Sequence, residues 1–518
     1  MNERARWNVS NEEKAKISRR ELFRTLGGAT AGLMFGGGSK ALAQVLGDAN
    51  KMDRAPYLQI DLAAGPGVAQ VKPGAQTNVL RFTGSVLRGR LDALGPSPGS
   101  YLGPTIRLRS GEHVSIFFSN NLAEESIVHW HGLYVPHYAD GHPMDAINPG
   151  ALYAYHYRVA NRAGTYWYHP HPHMLTGNQV YHGLAGGLVV TDPEEQALDL
   201  PDGDLDQLLV LQDRTLDSNN QFVYLPNPMR GTLGSEILVN GQADFELPVR
   251  TRAYRLRFLN GSNGRVYKLA WEDGTPMTVI GTDGGLLEVP VEKPYVVLSP
   301  GERVEVWMDF RNRAVGDCLT LKSLAIQGLM FGVGGGNDPL PNGAAFDVMR
   351  FAVAELDKEY RSLPKRLTTI RWNREEDAIN RDKPRYLTAR WDNVLGWLLN
   401  DEPFDMYSTK PNERVRAHTL EVWEFENIVG NIVIAHPIHL HGRQFQILRR
   451  TVHPDYVQGW ESVRDGYTDE GWKDTFLLMP GEKVRLLISF GQYTGMFLYH
   501  CHNLEHEDMG MMRNYLVM

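Results

Sequence analysis

Four histidine pairs of the form His-x-His, set out in two matching halves, constrain this chain more than any other feature. Gly164-Thr-Tyr-Trp-Tyr-His169-Pro-His171 is matched near the C-terminus by Gly495-Met-Phe-Leu-Tyr-His500-Cys-His502, with the same distance from glycine to each histidine. Upstream of each stands another pair, His129-Trp-His131-Gly132 and His439-Leu-His441-Gly442. Residues i and i+2 of an extended strand project to the same face, so each pair sends two imidazoles into one cavity. A single pair reads most simply as surface or core histidines. Four pairs in matching halves do not. A further repeat sets Pro300-Gly-Glu-Arg-Val-Glu-Val-Trp-Met-Asp-Phe310 against Pro480-Gly-Glu-Lys-Val-Arg-Leu-Leu-Ile-Ser-Phe490. Both read as a turn followed by a strand with alternate residues inward.

At 518 residues the chain exceeds a single core. Strand-like runs alternate with turn signals, and no long helical period follows the first 43 residues. The expectation is an all-β protein of three β-sandwich modules, at 44–192, 193–355 and 356–518, with histidine pairs in the outer two. The glycine run 332–336 lacks the strand–turn–helix context of a nucleotide site and reads as a surface loop.

Residues 1–43 read as an export signal. Ser18-Arg19-Arg20-Glu21-Leu22-Phe23-Arg24 resembles a twin-arginine signature, a short apolar stretch runs from Leu26 to Phe35, and Ala41-Leu42-Ala43 offers a cleavage site. That stretch is too short to be a permanent membrane helix, and no other window is long and apolar enough. The expected location is therefore periplasmic or secreted, with the twin-arginine machinery as a partner. The segment holds 8 basic and 4 acidic residues, so its removal takes the formal net charge from −8 to about −12. An acidic surface without a basic block speaks against nucleic acid as a partner. Only Cys318 and Cys501 are present. A bridge between them is the plain expectation for an oxidising compartment, but the surroundings of Cys501 give it another task, leaving Cys318 as a small buried thiol.

Imidazole donors suit zinc, copper, iron and nickel alike. The segment His500-Cys501-His502-Asn-Leu-Glu-His506-Glu-Asp-Met-Gly-Met511 narrows the choice, because it places a thiolate, an imidazole and a thioether close together. Two imidazoles, one thiolate and a long axial methionine make a blue-copper electron-transfer site, whereas zinc rarely recruits methionine. His436, just before the His439/His441 pair, is placed to supply the second imidazole.

With these motifs in view, the chain resembles the multicopper oxidases over essentially its whole length after the signal. His-Trp-His-Gly, Trp-Tyr-His-x-His, His-Pro-Ile-His-Leu-His-Gly and His-Cys-His-x-x-x-His-x-x-x-x-Met are similar to all four copper motifs of that family, with its bacterial laccase-like and cuprous-oxidase members nearest. The resemblance implies three cupredoxin-like Greek-key domains and four copper ions. Type 1 copper would be held by His436, Cys501, His506 and, axially, Met511. Type 2 copper would take His129 and His439. One type 3 copper would take His131, His169 and His502, the other His171, His441 and His500. Met511 is the axial choice over Met509 and Met512 by its distance from Cys501, and His173 is a bystander. Asp140 and Glu507 match the family's proton-relay acids, and His506 would turn an imidazole edge toward the reductant.

The implied activity is one-electron oxidation of phenols, aromatic amines or metal ions, coupled to four-electron reduction of dioxygen to water. Dedicated oxidation of Cu(I) for copper tolerance is the alternative. The 17 methionines form no cluster between 355 and 400, and Gly430-Asn-Ile-Val-Ile-Ala435 carries no carboxylate; both features favour the broader laccase-like range. A copper nitrite reductase would lack the four pairs, and a copper-free binding protein of this fold would have lost ligands that are all present here.

Overall fold

The computed structural model describes residues 57–95, 101–333, 338–358 and 360–518. The twin-arginine segment, its cleavage site and most of the glycine run lie outside the described residues. Strands and turns dominate; the longest described α-helix, Thr176–Tyr181, has six residues. No described helix is long and apolar enough to cross a membrane.

Three pairs of sheets follow one another along the chain, of four and four, seven and five, and five and five strands. Each pair encloses its own apolar core. Ile60, Val114, Trp130 and Leu188 mark the first, Leu256, Val279, Val306 and Phe351 the second, and Trp423, Phe425, Ile438 and Tyr499 the third. Burying one such side chain is worth about 1.5–3 kcal/mol, so the cores carry the stability. Spatial neighbours are often distant in sequence: Tyr57–Ala69 pairs in parallel with His113–Asn120, and Arg385–Asp392 with Thr419–Asn427. A two-stranded link, Met330–Phe331 with Val433–Ile434, ties the middle sheets to the last.

The repeated turn-plus-strand units form Arg303–Asp309 and Glu482–Phe490, but their burial does not alternate as expected. Arg303–Asp309 lies inside its sheet, between Ala253–Asn260 and Met277–Thr282. Its Val304 and Val306 enter the middle core. The opposite face packs against the first sheets, where the Thr165 hydroxyl donates to Glu305 at 2.7 Å. A face expected to meet solvent is thus an interior surface with paired charges: Arg255 and Arg257 share Glu305 at 2.5 and 2.7 Å. Such pairs fix register more than they stabilise, since desolvation consumes most of the Coulomb gain.

Cys318 departs from expectation as well. It opens the strand Cys318–Ser323 and is exposed, because the chain has only just entered the sheet there; neither cysteine is in a disulfide.

Two strand pairs aim the histidines. Val128–His131 runs antiparallel to Gly164–Pro170 with His129 opposite His169. His436–Leu440 runs antiparallel to Gly495–Cys501, with His439 opposite His500 and Ile438 opposite Cys501. Adjacent positions alternate faces, so His500 turns to the cavity while Cys501 enters the third core. His131 is the last residue of its strand, whereas His171, His441 and His502 lie just beyond theirs. Full strand geometry therefore holds for one pair only. In the other three the chain leaves the sheet and bends the second ring around the cavity.

Candidate metal centre

The eight paired histidines meet where the first sheets abut the last, all fully buried. Rings from the two ends of the chain interleave. His129 stacks on His441 and His131 on His439, each at 3.7 Å between centroids. Three groups of three bring their ring nitrogens within 4.8 Å of one another: His129, His131 and His439; His131, His169 and His502; and His171, His441 and His500.

Hydrogen bonding shows that the cavity suits a cation. His129 Nδ1 lies 2.6 Å from the Asp140 carbonyl, and His439 Nδ1 lies 2.9 Å from the Asp474 carbonyl. A carbonyl only accepts, so both Nδ1 atoms carry the proton and both Nε2 atoms are bare. Those two Nε2 atoms face each other at 3.3 Å, and opposed lone pairs repel unless a cation sits against them. His169 repeats the pattern, donating from Nδ1 to the Pro170 carbonyl while its buried Nε2 has no protein partner. Burial, followed by the neighbouring imidazoles, holds His129, His131, His439, His441 and His502 well below the ordinary histidine value. His169 falls to about 4 and His171 to about 3, burial being offset in part by Glu507. Burial thus disfavours the charged form of these seven rings, and a metal ligand must be neutral.

A second donor set lies in the third core. Cys501 Sγ is 3.4 Å from His436 Nδ1 and 3.6 Å from His506 Nδ1, and all three residues are buried. Met511 belongs to the same apolar core as Cys501; Met512 pairs across from His500 and Met509 is 44% exposed. Burial pushes the Cys501 thiol well up, so a metal must displace its proton to bind. The buried thiol with two converging imidazoles and a nearby thioether fits blue copper. His506, expected to show an edge to the reductant, is fully buried instead. Trp397 packs 5.0 Å from it and 4.9 Å from His436 between ring centroids, held by its indole N–H donating to the Pro228 carbonyl. Burial, offset in part by the Met229 backbone, brings His506 to about 3.

Both sequence-chosen acids reach the histidine cavity. Asp140 Oδ2 lies 2.8 Å from His441 Nδ1, and its buried Oδ1 makes no hydrogen bond but lies 3.6 Å from His129 Nδ1. Burial raises this carboxyl well above the usual range, with Arg443 only partly opposing. Glu507 lies 3.2 Å from His500 Nδ1 and 3.5 Å from His171 Nε2. Burial pushes it up, but these two histidines outweigh that and hold it at about 2.

Sequence reasoning missed Asp474, Thr475, Arg303 and Trp397. Asp474 and Thr475 touch His131 Nε2 at 3.1 and 3.0 Å, and Arg303 clamps Asp474. None lies in a histidine motif. The one available signal was the repeat itself, in which Arg303 stands where the later copy has Lys483.

An all-β chain with a buried cavity of eight imidazoles beside a Cys–His–His site defines a copper-binding oxidoreductase. The multicopper oxidase family models match residues 96–195 and 374–518. Multicopper oxidase mco of Staphylococcus aureus is 30% identical, covering 89% of this chain and 89% of that protein. The laccase of Bacillus subtilis is 32% identical over 80% of this chain and 88% of its own. The crystal structure of McoA multicopper oxidase from the hyperthermophile Aquifex aeolicus superposes with a TM-score of 0.76 at 33% identity, covering 89% of this chain and 98% of that one. The chain belongs to the multicopper oxidase family, among its bacterial laccase-like members, and has the cupredoxin-like fold of that family. It is a copper-dependent oxidoreductase that takes electrons from a reductant and uses dioxygen as acceptor.

Proposed function

We propose that the chain holds four copper ions and works as a laccase of broad range. The observation that carries this reading is the convergence of bare, buried imidazole nitrogens in one cavity beside a separate Cys–His–His set. Type 1 copper is assigned to His436, Cys501, His506 and axial Met511; type 2 to His129 and His439; and the type 3 pair to His131, His169, His502 and to His171, His441, His500. Copper bound at these places supplies one-electron oxidation of the reductant and four-electron reduction of dioxygen to water.

The side chains divide the remaining tasks. Cys501, flanked by His500 and His502, joins the two sites through a few covalent bonds. Asp140 orients His441 through its Nδ1 proton and turns its second oxygen toward His129, 3.6 Å from Nδ1. Glu507 sits between His171 and His500. Together these two acids are suited to pass the protons that oxygen reduction consumes. Full burial of all eight rings keeps bulk water from the reacting oxygen. Trp397, itself buried and packed on both type 1 imidazoles, separates them from the outside, so electrons from a small phenol or aromatic amine reach that site through packed side chains.

Modules at 44–192, 193–355 and 356–518, a twin-arginine leader at 1–43, and a periplasmic or secreted location complete the proposal; the three separate apolar cores and the sequence of the leader support them. One observation favours Cu(I) as a further reductant: Met229 and Met330, from the middle of the chain, pack against the core holding Cys501 and Met511.

Metal analysis with an absorption spectrum, followed by assay against phenols, aromatic amines and Cu(I), tests the reading. Four coppers per chain with an intense blue thiolate band, and turnover of phenols, are expected. A fully loaded preparation holding one or two coppers, or zinc, would end it.

A further inference from the structure

The middle sheets carry none of the histidine pairs, yet they form a wall of the cavity. The turn Pro300-Gly301-Glu302-Arg303 brings Gly301 against two cavity rings. A Cβ there would lie 2.9 Å from His131 Cε1 and 3.0 Å from His502 Cδ2, and its φ is +88°. Two residues on, all five guanidinium N–H groups of Arg303 are spent. Nε donates to the Thr165 carbonyl at 3.0 Å; Nη1 to the Gly301 carbonyl at 3.0 Å and Asp474 Oδ1 at 2.7 Å; Nη2 to the Asp283 carbonyl at 2.9 Å and Asp474 Oδ2 at 2.6 Å. One side chain therefore binds the first, middle and last sheets at once, and grips Asp474 by a planar fork that lysine cannot reproduce. Lys483, its counterpart in the later repeat, is 38% exposed and pairs with Glu426.

Asp474, so held, meets a histidine turned the other way round from three of its neighbours. His129, His169 and His439 direct Nδ1 protons at carbonyls and keep Nε2 bare. His131 is reversed: its Nε2 lies 3.1 Å from Asp474 Oδ1 and 3.0 Å from Thr475 Oγ1, while its buried Nδ1 has no protein partner. The Thr475 hydroxyl already donates to Asp474 at 3.0 Å, so His131 Nε2 carries the proton and Nδ1 faces the cavity bare. Gly132 makes room for the clamp. A Cβ there would come within 2.5 Å of Asp474 Oδ2 and 2.7 Å of Arg303 Nη2.

We propose that Arg303 is a positioning residue for the copper cavity, fixing Asp474 so that His131 presents Nδ1 instead of Nε2 to the metal. This rests on the copper reading of the cavity given above. It assigns the histidine-free middle of the chain a direct part in holding metal.

The test compares copper-loaded wild type with Arg303→Met, Arg303→Lys and Thr475→Val. Readouts are copper per chain, the blue band, the type 2 paramagnetic resonance signal, and affinity by chelator competition. Loss of an outer partner of a ligating histidine weakens metal binding by about 10–100-fold. The expected result is that loss confined to the cavity, with the blue Cys501 site fully loaded; Arg303→Lys, keeping charge without the fork, should fall between Met and wild type. Arg303→Lys, which keeps the buried charge, decides the matter if Arg303→Met fails to fold; Thr475→Val leaves the Arg303–Asp474 pair intact and removes only the other contact of His131 Nε2, so it should weaken the cavity less than Arg303→Met. Arg303 variants with wild-type affinity and an unchanged type 2 signal would overturn the proposal. So would parallel loss of the blue site and cavity copper, which would mark Arg303 as general scaffolding. A wild type that binds copper at Cys501 alone would instead overturn the cavity reading, and this inference with it.

Discussion

Replacing Asp140 with Asn separates proton delivery from electron entry. The carboxylate binds His441 Nδ1 through Oδ2, and its buried Oδ1 makes no hydrogen bond. Asn can keep the bond to His441, but a neutral acceptor is worth about 1 kcal/mol less than a charged one. Its NH2 then takes the place of Oδ1, and a buried donor without an acceptor costs about 1–3 kcal/mol. Relief from burying a carboxylate offsets part of this. The net loss, about 1–3 kcal/mol, is small against a total stability of about 5–15 kcal/mol, so the variant should fold and load. Its amide cannot ionise, and a lost acid–base partner costs about 10²–10⁴ in rate. In stopped-flow experiments, anaerobic reductant should bleach the blue band at nearly the wild-type rate. Return of the band on mixing with dioxygen should slow by that factor and vary with pH. Glu507→Gln, altered beside His171 and His500, should behave alike. If both variants bleached slowly but recovered normally, these acids would belong to the reductant side and the relay reasoning would fail.

Cys501→Ser should abolish the blue band and turnover while the type 2 resonance signal persists; retained oxidase activity would refute the assigned electron path. Met511→Leu should raise the type 1 potential in a redox titration, and the axial assignment falls if Met509→Leu or Met512→Leu does so instead. The metal-free protein should weaken as pH drops below about 6.5. His169 at about 4 and His171 at about 3 lie below the unfolded histidine value, so the unfolded chain binds more protons between those limits and stability falls with pH, by about 1.4 kcal/mol per unit for each ring. Denaturant midpoints across pH 4–7 check this, and a flat profile for the metal-free protein would contradict it.

What could be read from the sequence was whatever repeats locally. Period-two spacing carried His129/His131 and its three companions, and one short segment carried Cys501, His506 and Met511. The expected alternation in Arg303–Asp309 failed because periodicity records one buried face, whereas that strand has a core on one side and the first sheets on the other. Arg303 and Asp474 are 171 positions apart, and nothing in either neighbourhood announces the other. Trp397 over His436 and His506 was equally silent: a tryptophan in a hairpin reads as core until the fold shows what it covers. Cys318 misled for a related reason, since residue type favours burial but position at a strand's first residue decides it.

The interleaving of His129 with His441 and of His131 with His439 bears on when the protein can acquire metal. Histidines whose ring nitrogens meet in the cavity are made some 310 positions apart, and His171 meets His500 across 329. Domains form in order as a chain emerges from the ribosome, so the first sheets can be complete while every histidine group of the cavity still lacks at least one member and the Cys501 set lacks all of its members. Until the strand Gly495–Cys501 pairs with His436–Leu440, the early histidines have only each other, and any ion they capture is held by an incomplete set. Metal loading is therefore the closing event of assembly, and a chain stalled anywhere before its last strands is without a site.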